Sequence, residues 1–83
     1  MLKFRFRVHS SGWKDGGYDN AHFAPTEKRV HEIINHWNAE ADKRNAYLES
    51  IGQPPRDPMD GHVTLLEIIP ITDEEFAEDC ISA

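Results

Sequence analysis

Eighty-three residues, 39% hydrophobic and 29% charged, suffice for one thin-cored domain and leave no room for a second. A formal net charge of −6 argues against a general nucleic-acid binder, since neutralising phosphates takes clustered Lys and Arg. Cys80 is the only cysteine, which excludes an intramolecular disulfide and the disulfide framework of small secreted domains.

The chain begins with alternation. Leu2, Phe4, Phe6 and Val8 fall on one side and Lys3, Arg5, Arg7 and His9 on the other, which predicts a strand over 2–9 with one dry and one wet face. The same alternation lacks the continuous apolar stretch of a signal peptide. Asp15-Gly16-Gly17 is a turn signal flanked by Trp13 and Tyr18, and a hairpin with a second strand over 18–23 is expected.

Pro25 suits a first helical position, with Glu27 at the positive end of the helix dipole. Val30, Ile34, Trp37, Ala41, Leu48 and Ile51 then recur at helical spacings, with Ile33 widening the stripe, and predict an amphipathic helix over 25–51. Glu40 and Arg44 stand in the favourable order for a four-apart ion pair. Gly52 and Pro54-Pro55 supply the stop. Such a helix is roughly 40 Å long, against about 27 Å for an eight-residue strand, so its C-terminal half (Ala39, Ala46, Tyr47, Leu48, Ile51) needs other cover or must bend.

Residues 53–61 hold three prolines and read as a crossing loop. A strand follows over 62–71. Strict alternation puts Val63, Leu65, Ile69 and Ile71 on one face and Leu66 and Ile68 on the other, a strand covered on both sides. The second cover is expected from the C-terminal segment or from a second subunit. Interrupted by Glu67, the apolar run 65–71 is also too short to span a bilayer, and a cytoplasmic protein with no membrane contact is expected. Thr72 and Glu75 fit a capping box, with Ile71 and Phe76 placed as a staple, and predict a short helix over 73–81 that turns Phe76, Cys80 and Ile81 inward. The expected fold is α+β: a small two-layer domain in β-β-α-β-α order. It has a two- or three-stranded, mainly antiparallel sheet on one long amphipathic helix, and a short C-terminal helix.

Candidate chemistry is sparse. His31-Glu32-Ile33-Ile34-Asn35-His36 has the form H-E-x-x-x-H, one residue longer than the zincin H-E-x-x-H. Five residues apart, the two imidazoles diverge by about 140° on a regular helix, and a third ligand would have to come from His9, His22, His62 or an acid. Histidines on a polar helix face, with Glu32 and His36 as an ordinary four-apart pair, are the simpler reading. Asp15-Gly16-Gly17 lacks the lysine and helix start of a phosphate loop. Trp13 and Tyr18 either fill core or stack on a base or partner. Lys3, Arg5, Arg7 and His9 form a stripe that is either a wet strand face or a reader of phosphates. Acidic neighbours Glu78 and Asp79 disfavour a thiolate at Cys80. No catalytic constellation and no cofactor is indicated.

Three functions are therefore carried forward. The first is a non-enzymatic, homodimeric binding or inhibitor protein acting by protein–protein contact, through Tyr47, Leu66, Ile68 and the acids Asp73, Glu74, Glu75 and Glu78; direct nucleic-acid binding is not expected. In size, acidity and compactness the chain is similar to small bacteriophage-encoded inhibitors, anti-CRISPR proteins among them, a likeness of general appearance. The second is a small-ligand or nucleotide binder using Trp13, Tyr18 and the basic strand. The third is a metal-dependent hydrolase using His31, Glu32 and His36.

Overall fold

The computed structural model describes residues 1–82, with side chains as far as Glu78. The alternating N-terminal segment is β1 (Leu2–His9), the central strand of an antiparallel sheet, flanked by β2 (Gly17–Ala24) and β3 (Val63–Pro70) in the order β2-β1-β3. Between β2 and β3 runs the long helix α1 (Glu27–Ser50), and α2 (Asp73–Ser82) closes the β-β-α-β-α order. No helix of the described residues is long and apolar enough to cross a membrane.

The dry side of β1 makes the core. Phe4 and Val30 are fully buried, joined by Phe6, Ala24, Ile34 and Val63, with Trp37 packed over Phe6 and Phe4 at ring separations of 5.0 and 6.1 Å. Each fully buried side chain of this kind contributes about 1.5–3 kcal/mol.

The helix starts two residues later than its proline suggests. Thr26, extended at φ −140°, is the cap, and its hydroxyl accepts from the Arg29 N–H at 3.2 Å, so Pro25 lies outside. At the other end Gly52, at φ +77°, takes the left-handed turn that stops the helix, and Gln53 N–H reaches back to the Leu48 carbonyl at 2.8 Å.

The helix is unbroken through residues 39–42, and its 24 residues span about 36 Å against about 27 Å for an eight-residue strand of the sheet. Beyond the buried Ala41 and half-buried Leu48, its C-terminal half is held by polar contacts. Asn38, Asp42 and Asn45 recur four and then three apart on one side of α1. The Asn38 amide group bonds both to Val63 N–H, at 2.7 Å, and to the Val63 carbonyl, at 3.2 Å. Asp42 meets the His62 ring at 2.6 Å, and Asn45 donates to the carbonyls of Pro58 and Asp60. Tyr47 and Ile51 stay exposed.

The largest correction concerns β3. Phe6 is opposite Leu65 and Arg5 opposite Glu67, so Leu66 has no partner and forms a bulge. One extra residue reverses the alternation. Val63 and Leu65 face the helix before the bulge, and Ile68, opposite Phe4, faces it afterwards and packs on the core. Ile68 is therefore not on the second face, and Ile69, opposite Lys3, is not on the first. Leu66 is left 45% exposed. On the open face Phe76 of α2 meets Phe23 edge-on at 5.0 Å, so the C-terminal segment covers part of that side. Thr72 accepts from Glu75 N–H at 3.1 Å, the cap half of the expected capping box. The expectations for the Cys80 and Ile81 side chains, and for Asp79, fall outside the described side chains.

Candidate binding surface at the hairpin end

The basic stripe is matched within the sheet. Arg7 lies opposite Asp19 and bonds it at 3.0 Å; Arg5 lies opposite Glu67 and bonds it at 3.0 Å, with Asp19 a further 3.8 Å contact. Arg7 also donates to the Asp15 carbonyl at 2.8 Å, and His9 is hydrogen-bonded to Thr64 at 2.8 Å. Exposed pairs such as these contribute little stability individually. They do set two carboxylates where a phosphate would need to approach, which removes the reason to read Arg5 and Arg7 as a phosphate comb. Asp73, Glu74 and Glu75 occupy the first turn of α2, where negative charge is favoured by the helix dipole, and they and Glu78 are exposed.

His31 and His36 do not converge. His31 stands 3.8 Å from Glu27. Glu32 pairs with Arg29 at 3.2 Å and Lys28 at 4.0 Å, not with His36. Among the described residues no group of three or more His, Cys, Asp or Glu is placed to hold a metal ion. His9 and His62 are each engaged by a neighbour, Thr64 and Asp42.

Trp13 and Tyr18, by contrast, do come together. The connection between β1 and β2 is closed by Ser10 N–H to the Gly16 carbonyl at 2.9 Å and Gly16 N–H to the Trp13 carbonyl at 3.0 Å. This holds the indole over the Tyr18 ring at 5.1 Å. Neither ring fills core: Trp13 is 57% and Tyr18 38% exposed. Tyr18 lies opposite Val8 and so points to the helix side of the sheet, away from Arg5 and Arg7. A composite of the aromatic pair with the basic strand is therefore not formed.

The cation that joins the pair comes from α1. Trp13, Tyr18, Ser11, Arg44, Asp60 and Gly61 line an open cleft of about 410 Å³. Arg44 makes no hydrogen bond or ion pair among the described residues, and its expected partner Glu40 pairs with Lys43 at 3.5 Å. The guanidinium instead lies along Gly61, where any side chain would collide with it; Gly61 is also at φ +84° and donates to the His9 carbonyl at 2.8 Å. Asp60 ties the loop to the hairpin, accepting from Ser11 N–H at 2.7 Å and from Ser11 Oγ at 2.9 Å.

Those two bonds hold the Asp60 carboxyl below the usual carboxylate range. A depressed folded-state value means stability that is present above the unfolded-state pKa and is lost as pH falls through the folded one. Asp60→Asn is accordingly expected to flatten the acid limb of the stability–pH curve, measured by urea denaturation in steps down from neutral pH. An unchanged acid limb would show that the Asp60–Ser11 clamp is not formed in solution.

The sequence drew attention to Trp13 and Tyr18 but not to Arg44, Ser11 or Asp60. Nothing local marks those three; the long helix and the proline-rich loop bring them to the hairpin only in space. No protein-family model matches the chain, and comparison with curated proteins and with solved structures finds no match.

Proposed function

We propose that this is a small non-enzymatic binding protein that acts, as an inhibitor does, by occupying another protein's surface with its hairpin end. The observation that carries the reading is the exposed Trp13–Tyr18 pair on one cleft with an Arg44 that makes no ion pair among the described residues. Trp, Tyr and Arg are the residues in which interface energy concentrates. Tyr47, one helical turn from Arg44, and Met59 in the adjoining loop are also exposed and extend the apolar area. The resulting mode of action suits a cytoplasmic protein similar in size and acidity to phage-encoded inhibitors. A homodimer through this end is the form the same proposal takes if the occupant is a second copy.

Trp13→Ala combined with Tyr18→Ala is expected to weaken the partner's affinity at least about thirtyfold, which corresponds to the ~2 kcal/mol of a hot spot. Stability should shift by no more than about 1 kcal/mol, since both rings are largely outside the core. Affinity capture from the source cell and sedimentation equilibrium, run on both proteins, measure this. A partner retained equally by the double variant, or a dimer unaffected by it, would sink the proposal.

The cleft volume and the available Arg44 also support a second reading, a nucleotide stacked on Trp13 with its phosphate on Arg44. Saturable quenching of Trp13 fluorescence by a mononucleotide panel, lost in Arg44→Gln, distinguishes it from the first.

A further inference from the structure

A second concavity lies four residues further along β2 from Tyr18, about 13 Å away at strand spacing. It is a groove of about 400 Å³ between β2 and the N-terminal half of α1, lined by His22, Arg29, Ile33, His36 and Trp37. The four helix residues are spaced i, i+4, i+7 and i+8, so one flank of α1 forms the wall. His22, on the helix side of β2 opposite Phe4, forms the ledge facing it.

The base of the groove is flat and apolar, and its rim is nitrogenous. Trp37 is anchored by Phe6 and Phe4 and lies 6.0 Å from the His22 ring, which itself meets Phe4 edge-on at 5.9 Å. His22, Arg29 and His36 are all exposed at the edge. Arg29 donates one guanidinium nitrogen, Nη1, to Glu32 at 3.2 Å, which leaves other donors of its fork available. Among the described residues no Asp or Glu lines the groove, although acids exceed bases over the whole chain.

We propose that this groove binds a small aromatic phosphomonoester, with its ring over Trp37 and Ile33 and its phosphate at the Arg29, His22 and His36 rim. Nitrogen donors from the strand and from helix positions two turns apart border the same groove, and such a rim suits a group with three acceptor oxygens better than a two-oxygen carboxylate. The planar base supplies stacking, and the volume is that of a small-ligand site. The inference is independent of the hairpin end, with which it shares no residue.

Trp13→Phe leaves Trp37 as the one tryptophan, so its emission reports this groove alone. In that background phenyl phosphate is expected to cause saturable quenching and to shift the Trp37 indole N–H resonance. Inorganic phosphate should bind more weakly, and benzyl alcohol should give no saturation. Arg29→Gln and His36→Gln, both at exposed positions, should each weaken phenyl phosphate about tenfold or more while leaving the Trp37 emission of the free protein in place. Absence of saturation at millimolar phenyl phosphate, undiminished affinity in Arg29→Gln, or equal binding of benzyl alcohol would each overturn the proposal.

Discussion

Ile68→Asp is expected to unfold the domain or bring it close to unfolding, whereas Leu66→Asp, two residues away, should change stability by less than about 1 kcal/mol. Both side chains sit on one strand, and strict alternation would make them equivalent. The bulge separates them. Ile68 is partly buried and packs against the core opposite the fully buried Phe4, so an aspartate there loses that apolar burial and sets a carboxylate against the core. Together these cost about 3–5 kcal/mol, comparable with the whole stability of a small domain. Leu66 is 45% exposed and has no partner on β1, so a charge there stays in water. Urea denaturation followed by circular dichroism compares the two directly. Equal effects would mean that β3 runs without a bulge and that Leu66 and Ile68 share a face, as a dimer interface on that strand would require.

The second large effect is expected at Asn38. Its amide both accepts from Val63 N–H and donates to the Val63 carbonyl, pinning the first residue of β3 to the helix. Val63 is itself buried, so Asn38→Ala strips two backbone groups of partners where water has poor access. The lost bonds and the unpaired groups add to about 2–4 kcal/mol. Asn45→Ala is the control: its amide also serves two carbonyls, but these lie in the loop nearer solvent, and a loss of about 1 kcal/mol is expected. Midpoints of urea unfolding for the two variants test the ranking. If Asn45→Ala proved the more costly, the loop rather than the strand start would be what the helix holds.

Asn38 shows why this part of the fold could not be read along the chain. The apolar stripe of α1 was legible, and so was the excess of helix over sheet. The expectation that the excess needs other cover is met in part within the chain, where a row of polar side chains satisfies loop and strand backbone while Tyr47 and Ile51 stay exposed. Helical spacing reveals which residues share a side, but not that an asparagine on that side will meet an edge strand. The ion pairs behaved alike. Glu40 and Glu32 each had two or more bases within one turn, and side-chain packing elsewhere chose among them: Arg44 is drawn to Gly61, and His36 lies at the groove with Trp37.

What the amino-acid order determined by itself was the local periodicity: a two-residue repeat that makes β1, a helical repeat that makes α1, and the turn and cap residues at Gly52 and Thr72. These follow from backbone sterics and from the need to bury one face. The tertiary structure alone decided the register of β3, the bulge at Leu66, the neutralisation of Arg5 and Arg7, and the placing of Arg44 on one cleft with Trp13 and Tyr18. Each depends on residues far apart in the chain, whose separation in space is set by packing and not by any repeat along it.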